Sequence, residues 1–509
     1  MRVLAGALGH TIPSMYRIGA RRGFSCAHGN GVRRQLRPAW EGGTGLLGGT
    51  AWRGSDHVRR GVIRGLVSGI DHVRWMGSTQ RMGSESRNKT ISFFCDVEGN
   101  LEYFRTCVKF STVLRFHDEE KLELEFVASD MYFVFGGDVV DHGEGDIRIA
   151  KALIRFKKKY PDRVFLVAGN RDVNKMLLTS RLWETFERDK EAGASKLRDI
   201  LKITMGAPNA FEFRRKELAI LSGVGLDAVT DIDVATSYYE SVAENGFMRS
   251  YLEHAQLAVL LFDSLFLHGA VPENGIGFVP SNGTPQALTA KEWISCLNQF
   301  YNEQLDMWNK NPRVREDGVG GYLLTEYGKP GGLDGRGVLY NDWLEKGGTL
   351  PARIPRSVAN YLLDSGIRRV VSGHRPHGDT PTVIREEETD FIVVTADTSY
   401  SDKTAPDNRG KAVSEILVDI STSGDKVNSS TRIRGIRKDG TTQLDFVVEL
   451  DPSVGCPLSA VARKSSDTPS QEGWLKAALP SEGEYLACFS RGPNTFSSDL
   501  DYRVVNLLK

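Results

Sequence analysis

The sequence predicts an α/β domain, in which short apolar strands alternate with helices and each strand ends in a polar loop. Three apolar runs are typical of buried strands, namely Thr90–Cys95, Met131–Phe135 and Val164–Val167. Each run is followed at once by glycine or by polar residues. This alternation predicts that polar side chains gather where the strands end.

Helices are predicted after the first two strands. Asn100 can cap a helix that starts at Leu101, because its side-chain oxygen can accept a hydrogen bond from the first turn. A second helix is predicted from about Asp146 to Lys159, where apolar residues recur on one face and Pro161 follows the end.

Two further strands are predicted to end in histidine. Leu260–Leu267 precedes His268, and Arg368–Ser372 precedes His374. The rest of the chain reads as β-rich, with a strand over Ala412–Ile420 and a hairpin after it. The hairpin covers Thr431 to Leu450 and turns at Asp439-Gly440.

The domain organisation has three parts: a leader over residues 1–88, a main domain over 89–400 and a β-rich C-terminal extension over 401–509. Two mainly helical insertions lie within the main domain, at about 173–255 and 273–360. The second insertion separates two candidate ligands, so it is placed to cover the site. The extension either completes the edge of a sheet or forms a module of its own.

The leader is rich in Arg, Gly and Ser. It carries 14 of the 65 basic side chains and four of the 65 acidic ones, which leaves the remainder a net charge of about −10. This composition resembles a mitochondrial or plastid transit segment. The alternatives are a disordered leader or a true start at Met76 or Met82, in which case we expect a cytoplasmic protein.

Composition narrows the classes of function. An acidic body without a basic stripe argues against nucleic acid as a partner. The chain has no run of about 18 apolar residues, so no membrane span is predicted. The six cysteines form no CxxC pair, so neither a disulfide framework nor a thiolate zinc site is predicted, and a reducing compartment is expected.

Five short polar motifs follow the predicted strands. Carboxylates, an amide oxygen and imidazoles are together suited to divalent cations, and adjacent glycines allow tight turns. Each motif alone is weak evidence, but five in order on strand ends predict a metal site. They are Asp96-x-Glu98-Gly-Asn100, Gly137-Asp138-x-x-Asp141, Gly169-Asn170-Arg171-Asp172, His268-Gly269 and Gly373-His374-Arg375-Pro376-His377.

In these motifs the sequence resembles the calcineurin-like metallophosphoesterase superfamily, within which it looks like the Ser/Thr phosphatases. The resemblance covers about residues 90–400 and implies a β-sandwich flanked by helices, with a dinuclear metal centre. It implies that Asp96 binds the first metal and that Asp138 bridges both. It also implies that the second metal is held by Asn170, His268 and His374.

Two motifs depart from the pattern of the superfamily at a histidine. Glu98 stands where the first motif usually has His; it is expected either to ligate a metal, favouring Mn²⁺ or Mg²⁺ over Zn²⁺, or only to accept hydrogen bonds. Arg171 replaces the His of Gly-Asn-His, which implies either a catalytic contact with the phosphate or a structural pair with Asp141.

The last motif also departs from the usual Gly-His-x-His, because His377 comes one residue late. His377 and His142 are candidates for contacting the substrate phosphate. Asp379 and Asp397 are candidate acceptors for the second ring N–H of a ligating imidazole. Asp141 is grouped with Arg171 as a candidate catalytic residue.

The resemblance implies hydrolysis of a phosphate ester, with a metal-bridging hydroxide as the nucleophile. The cofactors are two divalent ions, chosen among Mn, Fe, Mg and Zn, with Mn favoured. The phosphorylated substrate is a small molecule, a nucleotide or a phosphoprotein. Two alternatives stay open: a nucleotide or dinucleotide polyphosphate hydrolase, and a non-catalytic phosphate-binding or scaffold protein that has lost the two motif histidines.

Overall fold

The computed structural model describes residues 87–280, 288–316, 318–346, 349–398, 412–423, 426–461, 472–492 and 500–507. The predicted leader lies outside these residues except at its last two positions. Within the described residues, no helix is both long enough and apolar enough to cross a membrane.

The described residues form seventeen strands in four sheets. In chain order they are β1 (Arg87–Phe94), β2 (Leu114–Asp118), β3 (Glu123–Phe126), β4 (Met131–Phe135), β5 (Val164–Val167), β6 (Ala255–Gln256), β7 (Ala258–Leu261), β8 (Ser264–Leu267), β9 (Arg369–Ser372), β10 (Thr382–Arg385), β11 (Ile392–Thr395), β12 (Val413–Ser423), β13 (Lys426–Ile436), β14 (Gln443–Val447), β15 (Gly473–Ala478), β16 (Glu484–Ser490) and β17 (Leu500–Asn506).

Thirteen α-helices lie in the same described residues. They are α1 (Leu101–Phe110), α2 (Asp146–Lys159), α3 (Asn170–Asn174), α4 (Leu178–Arg181), α5 (Trp183–Arg188), α6 (Lys190–Asp199), α7 (Ala210–Ser222), α8 (Asp231–Ser241), α9 (Phe247–His254), α10 (Ala290–Lys310), α11 (Tyr322–Tyr327), α12 (Arg356–Leu363) and α13 (Leu458–Val461). Helices α3 to α9 occupy the region of the first proposed insertion, α10 and α11 lie in the second, and α12 runs past its end.

Two mixed sheets face each other. The larger has the strand order β14-β13-β12-β1-β4-β5-β6, and the smaller has the order β10-β11-β9-β8-β7. Their inner faces share one apolar cluster, in which the rings of Phe93 on β1 and Phe266 on β8 stack with centroids 5.8 Å apart. The predicted sandwich of sheets is therefore confirmed.

Helices cover the outer faces because side chains alternate along each strand. On β1, Phe93 points into the layer between the sheets, whereas its neighbour Phe94 belongs to the other core. That core also contains Phe104 of α1 and Ile149 of α2. The result is a β-sandwich between layers of helices, which is the predicted fold class.

The C-terminal extension divides between two sheets. β12 pairs antiparallel with β1, matching Ser92 with Leu417, and so extends the larger sheet. Between the same two strands, Ser92 Oγ donates a hydrogen bond to Glu415 Oε1 at 2.7 Å. β15, β16 and β17 instead form a separate three-stranded sheet. The first part of the extension thus completes an edge of the larger sheet, and the later part forms a further sheet that contacts the main domain.

One strand prediction is wrong. Leu260–Leu267 is not a single strand, because the chain turns at Phe262 with φ of 56° and forms the hairpin of β7 and β8. The hairpin of β2 and β3 was not predicted from its mixed, charged sequence. The strands over Met131–Phe135 and Val164–Val167 and the helix over Asp146–Lys159 have the predicted bounds.

Candidate metal centre

The five polar motifs lie directly after β1, β4, β5, β8 and β9. β1, β4 and β5 run parallel to one another, and so do β8 and β9. Because the carboxyl ends of parallel strands lie at one edge of a sheet, the motifs that follow them come together. Residues far apart in the sequence thereby share one site.

Five residues offer potential ligand atoms, in two groups that share Asp138. Asp96, Glu98 and Asp138 offer carboxylate oxygens that lie within 4.8 Å of one another. Asp138 also offers an oxygen within the same distance of ring nitrogens of His268 and His374. Two carboxylates on one side and two imidazoles on the other therefore surround one buried aspartate.

Asn170 lies beside the second group. Its side-chain oxygen lies 2.9 Å from Nε2 of His268, which is itself 3.5 Å from Oδ2 of Asp138. Nδ1 of His268 lies 2.8 Å from the carbonyl oxygen of Gly136, so the imidazole can donate there and present Nε2 to an ion. This arrangement of a ligating imidazole with a carbonyl partner is usual at metal sites.

A carbonyl oxygen also orients His374, but it contacts the other ring nitrogen. Its Nε2 lies 3.0 Å from the carbonyl oxygen of Tyr340, in the second insertion, which leaves Nδ1 for an ion. Its backbone N–H donates to Oδ2 of Asp96 at 3.1 Å. The insertion therefore contacts a candidate ligand, as expected for a segment that covers the site.

Glu98 and Arg171 are partners. Nε of Arg171 donates to Oε1 of Glu98 at 2.8 Å and lies 3.5 Å from Oδ2 of Asp138. The guanidinium also donates to the carbonyl oxygen of Met205 at 3.0 Å. The Arg171 side chain is 14% exposed, so it stands at the edge of the buried carboxylates.

Asp141 lies in neither ligand group. Its Oδ2 accepts from Nζ of Lys175 at 2.7 Å, and the guanidinium of Arg171 is farther away at 3.8 Å. The structural pairing considered for Arg171 is thus taken mainly by Lys175, a fully buried residue that the sequence did not single out.

Asp172 positions the loop that carries Asp138. Its carboxylate accepts from the backbone N–H groups of Asp138 at 2.9 Å, Val139 at 3.0 Å and Gly169 at 2.8 Å. Burial raises the pKa of Asp172 to about 6, and the negative charge of Asp138 adds to the rise. Asp172 belongs to the third motif, but no role was predicted for it.

The backbone of the site is strained. Ten non-glycine residues of the described chain have positive φ, and half of them lie in the five motifs. Such conformations cost on the order of 1–3 kcal/mol each and concentrate at functional sites. The five are Asp96 (51°), Glu98 (44°), Asp138 (54°), Asp141 (107°) and His374 (77°).

Two glycines allow the close approach of these loops. A Cβ on Gly169 would lie 2.1 Å from Oδ1 of Asp138, and a Cβ on Gly373 would lie 2.2 Å from Oδ2 of Asp96. No side chain fits at such distances. The motif glycines therefore hold neighbouring backbone against the candidate ligands.

Positive charge stabilises the buried carboxylates in their ionised form. Burial raises the pKa of Asp96 well above its usual value, and the charges of Asp397, Asp138 and Glu98 raise it further. Burial lowers the pKa of His268, but Asp138 and Asp96 outweigh burial and raise it to about 10. A cluster that binds a proton this tightly suits a divalent cation, which offsets the same negative charge.

Two other candidates lie beside the ligand groups. Nε2 of His142 is 4.0 Å from Oε2 of Glu98, and its backbone N–H donates to the carbonyl oxygen of Glu98 at 2.7 Å. Asp397 is close enough to Asp96 that its charge raises the pKa of that carboxyl. Both stay predictions as a phosphate contact and a hydrogen-bond acceptor.

His377 and Asp379 are placed differently from the expectation. His377 contacts Lys476, whose Nζ lies 3.3 Å from Nδ1, and it belongs to neither ligand group. Asp379 accepts from Nε of Arg437 at 3.2 Å and from the backbone N–H of Lys438 at 3.3 Å. These contacts join the last motif to the C-terminal extension, whereas no contact with a candidate imidazole ligand is seen among them.

The stretch that holds all five motifs matches a known protein family. The family model for the calcineurin-like phosphoesterases matches residues 96–378, more than half of the chain. No curated protein matches. A solved structure described as a protein serine/threonine phosphatase from Saccharomyces cerevisiae with similarity to human phosphatase PP5 is 15% identical, covers 65% of this chain and 72% of that chain, and superposes with a TM-score of 0.31.

Proposed function

The chain belongs to the calcineurin-like phosphoesterase family and is a phosphoesterase, and we propose that it hydrolyses its substrate at a dinuclear metal centre bridged by Asp138. The observation that carries this proposal is the pair of ligand groups that share Asp138. One aspartate in contact with both groups is the arrangement that a bridging ligand requires.

The two groups divide the ligands by chemistry. Asp96 and Glu98 would hold one ion with oxygen atoms, whereas His268 and His374 would hold the other with nitrogen atoms and Asn170 would add an amide oxygen. Oxygen-rich groups favour hard ions, so we propose Mn²⁺ before Zn²⁺ for the first position. When bound, the ions would supply an activated water and positive charge beside the phosphoryl oxygens.

The residues of the chain would perform three tasks around that chemistry. His268 and His374 would be held in one orientation by carbonyl oxygens, which fixes the nitrogen that each presents. Arg171 would stabilise negative charge that develops on the phosphoryl group. Because Arg171 retains its proton at all physiological pH values, it would not protonate the leaving group.

The pairing of Arg171 with Glu98 bears on catalytic competence. A scaffold protein derived from an enzyme has no need to keep its ligand set, yet both groups are complete here and the two replacements for histidine contact each other. The phosphoesterase reading is therefore favoured over a non-catalytic phosphate-binding protein. We propose a phosphate monoester as substrate, with nucleotide polyphosphates as the alternative class.

The proposal is tested by metal content and turnover together. Metal-depleted protein is titrated with Mn²⁺, and p-nitrophenyl phosphate hydrolysis is then followed at saturating Mn²⁺. Asp138→Asn is compared with Asp118→Asn, a carboxylate on β2 that pairs with exposed Lys121. We expect two Mn²⁺ ions per wild-type chain and loss of turnover in Asp138→Asn only.

Two results would contradict the proposal. Bound metal without turnover on any phosphate ester would favour the scaffold reading. Near wild-type turnover in Asp138→Asn would exclude a bridging role for this residue. A parallel panel of phosphomonoesters, phosphopeptides and nucleotide polyphosphates would decide among the substrate classes.

A further inference from the structure

A lysine of the C-terminal sheet is buried against the last polar motif. Lys476 lies on β15 and is 1% exposed. Its Nζ donates to the carbonyl oxygen of His377 at 2.6 Å and to Oγ1 of Thr382 at 2.5 Å, and it lies 3.3 Å from Nδ1 of His377. A buried ammonium needs a partner for each of its three donors, and all three partners lie between residues 377 and 382.

A second residue of the same sheet contacts the same segment. The hydroxyl of Tyr502, on β17, accepts from the backbone N–H of Asp379 at 3.0 Å. A Cβ on Gly378, where φ is 81°, would lie 2.0 Å from that hydroxyl oxygen. Only glycine permits this approach, so the segment and the tyrosine are closely fitted.

A third contact comes from the hairpin that extends the larger sheet. Nε of Arg437 lies 3.2 Å from Oδ1 of Asp379. The guanidinium of Arg437 also lies over the ring of Tyr502, 3.9 Å from its centroid. The segment over residues 377–380 is therefore held from several directions by residues beyond position 378, where the family match ends.

The held segment begins three residues after His374. The backbone of His374 has φ of 77°, a conformation that costs on the order of 1–3 kcal/mol and persists only where its surroundings enforce it. On the N-terminal side, the backbone N–H of His374 is bonded to Asp96. The imidazole of His374 contacts the carbonyl oxygen of Tyr340, and Arg375 pairs with Asp342. Farther along the chain, the segment is held by Lys476 and Tyr502.

We propose that Lys476 is a positioning residue which, together with Tyr502, fixes the segment over residues 373–380 and thereby places the imidazole of His374 in the ligand group with Asp138 and His268. This inference rests on the proposed metal centre. It gives the β15–β17 sheet, which lies outside the family match, a role in metal binding.

The test measures Mn²⁺ binding, since a merely structural role would lower thermal stability without changing metal affinity. Lys476→Met removes the three donors and keeps the length of the side chain. Tyr502→Phe removes only the hydroxyl. The matched control is Arg503→Met on the same strand, whose side chain is 53% exposed and pairs with Asp501.

Metal-depleted full-length variants with wild-type circular dichroism are titrated with Mn²⁺, and free Mn²⁺ is followed by electron paramagnetic resonance. We expect Tyr502→Phe and Lys476→Met to bind one of the two ions about 10–100-fold more weakly, while the other ion retains wild-type affinity. Turnover should return to at least half of the wild-type value at saturating Mn²⁺. Arg503→Met should match the wild type in both respects.

Wild-type Mn²⁺ affinity in a folded Tyr502→Phe variant would overturn the inference and leave the metal centre intact. A lower melting temperature with unchanged affinity would do the same. If Lys476→Met does not fold, Tyr502→Phe alone decides. A wild-type chain that binds no Mn²⁺ would overturn both this inference and the proposed function.

Discussion

Nε of Arg171 donates a hydrogen bond to Oε1 of Glu98 at 2.8 Å. The two residues that replace the usual motif histidines are therefore partners of each other. A guanidinium next to Asp138 alone would alter the charge of the centre, and a third carboxylate alone would add unbalanced negative charge. Together they leave the charge close to that of two neutral imidazoles.

This pairing predicts non-additive kinetics. Glu98→His and Arg171→His should each lower kcat/KM about 10–100-fold, because each leaves one charged partner unmatched in a buried site. The double variant should lose less than the product of the two single losses. Rates with p-nitrophenyl phosphate at saturating Mn²⁺ give the comparison. Losses that simply multiply would show that the two residues act independently.

Removal of the Asp172 carboxylate should affect stability and activity together. Asp172→Ala leaves three backbone donors without their acceptor, which costs about 1–3 kcal/mol for each group that water cannot reach. The loop that carries Asp138 should move, lowering turnover at least about 10-fold. Urea unfolding and turnover check both effects.

The control for that variant is Asp189→Ala. Asp189 also accepts from a backbone N–H, that of Ala192, but at the exposed start of α6. Its loss should cost about 1 kcal/mol of stability and leave turnover unchanged. An Asp172→Ala variant with wild-type turnover would argue against a positioning role.

The stability of the chain should depend on the ionisation of Asp146. This carboxyl accepts from the backbone N–H of Asp141 and from Arg214. Burial raises the pKa of Asp146 to about 7; Arg214 opposes the rise, whereas the charges of Asp141 and Glu217 add to it. The hydroxyl of Tyr238 also faces this group and stays protonated.

The direction in which the free energy of unfolding changes with pH follows from proton linkage. Between pH 4 and 7 the folded chain holds a proton on Asp146 that the unfolded chain has released, so the free energy of unfolding falls as the pH rises through this window. From pH 5 to 8, Asp146→Asn should gain stability relative to the wild type by at least about 1.4 kcal/mol, the equivalent of one pKa unit. Urea unfolding at both pH values measures this; a constant difference would contradict the raised pKa.

A chain that ends at residue 405 should be insoluble. It lacks β12, which pairs with seven residues of β1 and buries Ile416, Val418 and Ile420 between the two sheets. It also lacks Glu415, whose carboxylate accepts from Ser92. Expression followed by centrifugation checks the outcome. A soluble chain of this length with a cooperative thermal transition would show that the extension is dispensable for folding.

Local pattern was enough for part of the fold. Continuous apolar runs bounded by turn residues gave the bounds of β4 and β5, and the period of its apolar residues gave those of α2. The prediction of one strand over Leu260–Leu267 was wrong because Phe262 takes a positive φ. An apolar residue gives no sequence signal for such a conformation. Asp263 and Ser264 are the two polar residues that interrupt that run.

The residues of the candidate site could likewise be predicted only in part. Residues beside strand ends, such as Asp138 and His268, could be found because parallel strands bring their ends together. The contacts of His377 and Asp379 depend on how a distant sheet docks, which no local pattern contains. The burial of Lys175 was likewise invisible, since a lysine four residues after Arg171 is more often exposed.

The pairing of Ser92 with Glu415 joins residues 323 positions apart, and it lies next to the strand that carries Asp96. During translation, one edge of β1 therefore stays open until most of the chain has left the ribosome. An exposed apolar strand edge of this kind invites pairing with other chains. We expect newly made protein to need chaperones, and its yield to depend on the speed of synthesis more than on the stability of the finished fold.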